Sequence, residues 1–397
     1  MSTIYSTFSS EVPILNYRKN TFPDYLERNA NLNPNLKKFR KERPEIHTLL
    51  TLGEPIVDIT SEISTNMIQK FNLKLGDYIL VDEKDDNFTK EVFNDLESLP
   101  AVVFVPGGSA QNTIRVLSWC LRMDPYRSKR FKVSMLGSTG DDNYNKKILN
   151  ALLDIGVNPI LQKIKNDSTS RCGVGIYKKE KIFVTQLRAS KRLSEDFINE
   201  NRDIIFSHQA LLIEGYMLNN KFDICKKICD NFSSNKKLII LTLSATFIIK
   251  FHYHKLIEIA NDADIIAGNM EEALELSDHK SKEIKEIFEI IFKKLKRKDE
   301  RLLVITDGPY GVYCGKFNYA EERMVSLYTF FPPKVTNEEI QDLNGAGDAF
   351  LGGFLSQYMK GYSIEDCCNL GIDAATVIIK NVGCTFPKSL NLLSYSK

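Results

Sequence analysis

From Leu49 onward, short apolar runs alternate with longer stretches in which apolar residues recur every three or four positions. The runs Ala101–Val105, Phe131–Leu136, Ala210–Ile213, Lys237–Leu241, Asp264–Ile266 and Leu302–Ile305 predict buried parallel strands. Between them, Asn112–Leu121, Tyr144–Asp154, Phe222–Asn231 and Lys280–Lys296 carry helical spacing. Strand and helix alternate, so the class is α/β. One region breaks the rhythm. Cys172–Tyr177 and Ile182–Leu187 are β-prone and joined by Lys178-Lys-Glu-Lys181, which predicts a hairpin suited to a lid. Residues 1–48 are polar, with Asn29-Ala-Asn-Leu-Asn-Pro-Asn35 and the charge cluster Lys37–Arg43, and carry no apolar secretion segment. They are expected to form an extension that is partly ordered at best.

The chain has 397 residues, 43% of them hydrophobic and 26% charged, enough for one large core or two modest ones. Lys and Arg total 53 against 51 Asp and Glu, and a formal charge of +2 supplies no long-range field for nucleic acid or an acidic membrane. The basic run Phe292–Lys298 ends a helical stretch, where cations favour the dipole, and reads as a solvated helix end. No apolar stretch reaches the roughly 18 residues of a membrane span. The eight cysteines form no CxxC pair or zinc spacing, so buried thiols in a reducing cytoplasm are expected.

The segment Asp342-Leu-Asn-Gly-Ala-Gly-Asp-Ala-Phe-Leu-Gly-Gly-Phe354 leads into a helix through Phe350, Phe354, Leu355 and Tyr358, with Gly361 as its C-terminal cap. Gly345, Ala346 and Gly347 let consecutive N–H groups turn toward one point, where the helix dipole adds positive potential. That is the pattern of an anion hole. Asp348 follows at once, so its carboxylate would stand beside a bound phosphate and take a proton from an attacking hydroxyl. The competing interpretation is a glycine-rich helix start without chemistry, and a lone Gly-x-Gly would more often be that.

Further segments tip the balance. Gly53-Glu-Pro-Ile-Val-Asp58, Pro106-Gly-Gly-Ser-Ala-Gln-Asn-Thr113, Leu241-Thr-Leu-Ser-Ala245, Gly268-Asn-Met-Glu-Glu272, Thr306-Asp-Gly308 and Gly383-Cys-Thr-Phe-Pro387 follow in order. Together with Asp342–Asp348 they resemble the ribokinase-like (PfkB) family of sugar and nucleoside kinases, most closely its adenosine-kinase branch. The resemblance runs from about Leu49 to Pro387. It implies a three-layer α/β/α sandwich over residues 49–397, with a small β-rich lid from segments near 53–60, 100–106 and 171–190.

The resemblance also implies roles. Asp348 would be the base, with the amides of Gly345, Ala346 and Gly347 as the anion hole. Lys181 stands where adenosine kinases carry an arginine that closes over the transferred phosphate; the charge survives but the bidentate geometry does not. Asp58, Gly107, Gly108, Ser109 and Asn112 would hold the ribose, Phe183 and Thr185 would belong to the same acceptor site, and Tyr216 would stack on the base. Asn269 and Glu272 would organise Mg2+ through water, and Thr306, Gly308, Asn344, Gly345 and Gly347 would bind ATP. A monovalent cation such as K+ is a further candidate.

Several positions depart from the family pattern. Leu343 replaces a threonine, which alters contacts to the nucleotide or to that cation. Glu54 replaces a base-side asparagine, Arg188 replaces an alanine, and Glu214 is a second unexpected carboxylate. Glu54 and Arg188 either pair with each other, face solvent, or line the pocket, and in the last case the preferred base differs from adenine. The expected activity is phosphorylation of the 5′-hydroxyl of adenosine by a monomer. The alternatives are a kinase for another nucleoside or a sugar, and a catalytically weak nucleoside-binding protein of the same fold.

Overall fold

Alternate residues of the central apolar strands face opposite ways and feed two separate cores, which is why these runs carry no polar face. Leu49, Val133, Met135, Leu212, Ile240 and Ile265 pack with Phe354 and Met359 on one side. Leu50, Leu136, Leu211, Ile213, Ile239 and Ile266 pack with Phe232, Ile287 and Phe288 on the other. A strand buried on both faces and flanked by helices is the middle layer of an α/β/α sandwich. Truncating one fully buried ring such as Phe354 would cost about 3–5 kcal/mol.

The computed structural model describes residues 16–17, 42–76, 78–81, 86–123, 128–178, 180–296 and 300–387. Of the extension expected at 1–48, residues 1–15 and 18–41 lie outside the described residues. In chain order the strands are β1 (Asn16–Tyr17), β2 (Thr48–Leu52), β3 (Ile56–Glu62), β4 (Tyr78–Leu80), β5 (Val103–Gly107), β6 (Lys132–Gly140), β7 (Val157–Ile164), β8 (Ser170–Tyr177), β9 (Glu180–Gln186), β10 (Ala210–Ile213), β11 (Leu238–Thr242), β12 (Ile265–Asn269), β13 (Glu300–Thr306), β14 (Val312–Asn318) and β15 (Arg323–Phe330).

Ten of these strands form a large sheet in the order β1-β15-β14-β13-β12-β11-β10-β2-β6-β7. It is parallel from β13 through β7, while β14 pairs antiparallel with its neighbours on both sides. The other five form a small sheet in the order β4-β9-β8-β3-β5. Its centre is the hairpin β8–β9, antiparallel with Tyr177 opposite Glu180.

One strand expectation needs correction. The run Ala101–Val105, taken as a buried parallel strand, becomes β5, which pairs antiparallel with β3 at the edge of the small sheet and leaves Val103 exposed. Its two-residue slip toward Gly107 places the glycine pair at the start of the next helix, Ser109–Arg122.

Two helices set the site. Helix Ala346–Met359 is apolar nearly all round because it packs between helix Ser109–Arg122 and helix Ile364–Ile378. It ends in a left-handed Gly361, with the N–H of Gly361 bonded to Tyr358 and that of Tyr362 to Gln357, a Schellman cap. Residues 42–46 run over this end: Glu42 N–H donates to the Gly361 carbonyl and Ile46 N–H to that of Met359, while the Arg43 guanidinium lies 3.9 Å from the Tyr358 ring centre.

Candidate active site

Gly345 opens helix Ala346–Met359 from a left-handed φ of +76°, a conformation that L side chains rarely adopt. A Cβ there would also stand 3.0 Å from the Cys384 Cβ. Asp348 lies in the first turn, half-buried at the wall of a cleft. Helix Ser109–Arg122 begins directly opposite. Ser109 Oγ donates to Asp348 Oδ1 at 2.6 Å, and Asn112 Nδ2 donates to Oδ2 at 3.1 Å. Burial pushes the Asp348 carboxyl up from its ordinary value, and these two bonds pull it partly back.

The cleft has a volume of about 350 Å³, in the range of small-molecule sites. Ser109, Asn269, Glu272, Thr306, Asn344, Gly345, Ala346, Gly347 and Asp348 all line it, so the nucleotide-side residues expected from the sequence converge, with the exception of Gly308. Gly308 is exposed at the start of a 3-10 turn. Asn269 and Glu272 form a capping box for helix Met270–Leu276: the Asn269 side chain accepts from Glu272 N–H at 2.9 Å, and Glu272 Oε2 accepts from Asn269 N–H at 2.9 Å. Burial pushes the Glu272 carboxyl up to about 7, Asn269 opposes the rise, and the Asp348 charge adds to it. A structural cap and a cleft-facing carboxylate are here one residue.

The acceptor-side residues gather around Asp58. Asp58 sits on β3 across from Cys172, whose Sγ accepts from Thr185 Oγ1 at 3.2 Å. A Cβ on Gly107 would come within 2.2 Å of Asp58 Oδ1, so only glycine allows β5 to pass that carboxylate. Gly108 follows at φ +92° and precedes Ser109. Burial raises the Asp58 carboxyl to about 7, helped by the charges of Asp342 and Asp348 and opposed by Lys181 and Arg115.

On β9, Lys181, Phe183 and Thr185 share one face by the two-residue period of a strand. Lys181 is ion-paired with Asp342. Phe183 stacks under Tyr78 with centroids 4.2 Å apart. Tyr216 donates its hydroxyl to the Ser244 carbonyl at 3.0 Å and lies 5.9 Å from the Phe247 ring.

Glu54 and Arg188 do not pair, and Glu54 does not face solvent. Arg188 Nε lies 3.1 Å from Asp167, while buried Glu54 accepts from Asn220 Nδ2 at 3.0 Å. Glu214 is buried as well and accepts from the Glu54 N–H at 3.0 Å, holding the 53–55 turn in place. Leu343 is 66% exposed on the cleft wall.

Three residues were missed by sequence reasoning. Phe247 stands two positions beyond the quoted Leu241–Ala245 motif and could have been found there. Tyr78 belongs to no motif; only its 75% exposure beside Phe183 draws attention to it. Arg115, one helical turn after Asn112, is buried and donates to the Pro106 and Cys384 carbonyls at 3.2 and 3.3 Å. Nothing in a sequence marks an arginine as buried.

The chain is 31% identical to adenosine kinase of Dictyostelium discoideum, covering 86% of this chain and 97% of that one. It is 29% identical to adenosine kinase 2 of Arabidopsis thaliana, over 86% and 96%. Among solved structures, adenosine kinase of Trypanosoma brucei brucei superposes with a TM-score of 0.75 at 26% identity, over 85% of this chain and all of that one. Anopheles gambiae adenosine kinase, in complex with P1,P4-di(adenosine-5) tetraphosphate, gives 0.73 at 26%, over 85% and 96%. Fold and relatives together define a phosphotransferase that acts on a hydroxyl group. The chain belongs to the pfkB family of carbohydrate kinases, which it matches over residues 69–390.

Proposed function

We propose that this chain transfers the γ-phosphoryl group of ATP to the 5′-hydroxyl of adenosine, giving AMP and ADP. The observation that carries the reading is the position of Asp348. Its carboxylate stands at the N-terminus of a helix, on the cleft wall, and already accepts a proton donor of the acceptor's own kind from Ser109. In the reaction the acceptor O–H gives its proton to Asp348 as the new O–P bond forms and the bond to the leaving ADP oxygen breaks. The Ala346 N–H donates to the Leu343 carbonyl at 3.3 Å, which corrects its expected part in the anion hole, so the Gly347 amide at the helix N-terminus is read as the one that faces the charge on the transferred group.

Asp58, Gly107, Gly108 and Asn112 are read as the ribose site, since a single carboxylate accepts two vicinal hydroxyls. Tyr216 and Phe247 offer apolar faces for a base. Thr306, Asn344, Gly345 and Gly347 are read as the nucleotide side; Gly308 is not on that wall and has no role in this reading. The orientation of Glu54 toward Asn220 supports adenine over a base chosen by an added carboxylate. The ligand of the Anopheles enzyme joins two adenosines through four phosphates, which suits a protein that holds one nucleoside and one nucleotide end to end.

Among the described residues no group of three or more His, Cys, Asp or Glu could cage a metal. The single carboxylate Glu272, with Asn269, fits Mg2+ taken up mainly through water and the phosphates of ATP. When bound, the ion would offset phosphate charge. For K+, Leu343 contributes no side-chain oxygen, and no role for that cation is included. The small sheet, latched through Lys181 and Asp342, is read as a lid that excludes water over one self-sufficient, monomeric site.

The test is ADP release at saturating Mg-ATP with adenosine, guanosine, inosine, cytidine and ribose in turn, with Asp348→Asn as the blank. Adenosine should be preferred. Turnover of none above the blank would remove the reading and leave a nucleoside-binding protein in its place.

A further inference from the structure

Ser109 does more than border the acceptor site. It heads helix Ser109–Arg122, lines the cleft, and donates to Asp348 Oδ1 at 2.6 Å. That is the length of a hydrogen bond from a hydroxyl to an ionised carboxylate. With Asn112 on Oδ2, each oxygen of Asp348 has one neutral donor. Burial raises the Asp348 carboxyl and only the bonds from Ser109 and Asn112 oppose it, while the Asp348 charge in turn raises Asp58, Glu214, Glu272, Tyr216 and Cys384 around it. The two hydrogen bonds therefore carry the stabilisation of its charge.

On the phosphotransferase reading given above, we propose that Ser109 is a positioning residue whose hydroxyl holds Asp348 in the unliganded enzyme at the place the acceptor hydroxyl takes on binding. A serine side chain and a nucleoside 5′-position are both primary alcohols, and either can donate to Oδ1. A carboxylate flanked by other acids, without such a donor, would take up a proton and lose the ability to act as base. Ser109 keeps it ionised and aimed until the substrate arrives, and then yields by rotation of its side chain. No bond to Ser109 Oγ is made or broken.

The experiment is the pH dependence of kcat/KM and of kcat for adenosine in the full chain, for wild type, Ser109→Ala and Ser109→Thr. The first parameter reports ionisations of the free enzyme and the second those of the complex. Loss of a donor to the charged form raises an acid's pKa, so in Ser109→Ala the acidic limb of kcat/KM should move up by about one pH unit. The limb of kcat should stay, because the substrate hydroxyl has taken the place of Ser109, and Ser109→Thr should restore the wild-type limb.

A serine that only packs would lower the rate equally at every pH. Superimposable limbs in Ser109→Ala, or a threonine variant as defective as the alanine one, would overturn the proposal. If wild type phosphorylates no nucleoside, the functional reading fails instead. The Asp348 carboxyl would then be titrated by 13C NMR in wild type and Ser109→Ala, where an unchanged pKa overturns the role of Ser109 by itself.

Discussion

Lys181, on the hairpin of the small sheet, is ion-paired with Asp342, three residues before the glycine turn that opens helix Ala346–Met359. The same carboxylate accepts from Asn344 N–H and from Gly383 N–H, both at 2.8 Å. One buried aspartate thus ties together the small sheet, the approach to the Gly345 turn and the C-terminal segment. Lys181→Ala should lower kcat about ten- to a hundredfold, because the turn loses one of its fixed points and small displacements at a reacting centre are expensive. Lys181→Arg should retain most of the activity. Steady-state kinetics of the two variants checks both statements.

Asp348→Asn keeps the shape of the side chain and one acceptor oxygen for Ser109 while removing the proposed base. Turnover should fall by about 10³-fold, within the span of general-base contributions. Adenosine affinity, measured by calorimetry, should change by no more than about threefold. Equal losses in both would mean that Asp348 serves binding and not chemistry.

Much of this arrangement was legible beforehand. The run Ala210–Ile213 is a strand with the same limits, helix Phe222–Ser234 starts where its periodicity starts, and Gly361 caps as a glycine after an apolar helix should. Such features depend on neighbours in the chain. The direction of β5 was not legible, because an apolar run reports burial and not the strand it pairs with. The partners of Glu54, Lys181 and Arg115 were not legible either: Asn220, Asp342 and Cys384 lie more than 150 residues from them along the chain. Ser109 and Asn112 were marked as site residues by motif, but only the fold shows that both bond to Asp348.

Gly345→Ala would force a Cβ into the left-handed region and against Cys384. The conformation alone costs about 1–2 kcal/mol. Urea denaturation should show a loss of at least that size, and kcat should fall more than KM rises, because the amides of the turn would be displaced together. Unchanged kcat would place the anion-binding function elsewhere.

Tyr78 presents an exposed ring that rests on Phe183, on a strand adjacent to the hairpin. Phe183 shares a face of its strand with Thr185, which bonds to Cys172 opposite Asp58, so the stacked Tyr78 ring lies on the face of the small sheet that carries Asp58. A flat base would then have Tyr78 as one aromatic wall. Stacking of this kind contributes about 0.5–1.5 kcal/mol, so Tyr78→Ala should raise KM for adenosine by about three- to tenfold, while Tyr78→Phe should leave it unchanged. Equal KM values for all three proteins would remove Tyr78 from the site.

Glu54 gives the fold a dependence on pH that can be isolated. Burial raises its carboxyl from 4.5 to about 7, against the opposing bond from Asn220 and the charges of Lys191 and Lys221. The native state therefore holds a proton that the unfolded chain releases from about pH 4.5 upward. Stability should be fully present below the unfolded pKa and fall as pH rises toward 7, by on the order of 3 kcal/mol from this one group. Glu54→Gln keeps an acceptor for Asn220 and carries no charge at any pH. Between pH 5 and pH 8, its loss of stability in urea should be smaller than that of wild type, the contributions of Asp58 and Glu272 cancelling in the comparison and that of Glu214 shrinking with it, because the Glu54 charge no longer raises the Glu214 carboxyl. Equal losses in the two proteins would mean that Glu54 is ionised in the folded chain despite its burial.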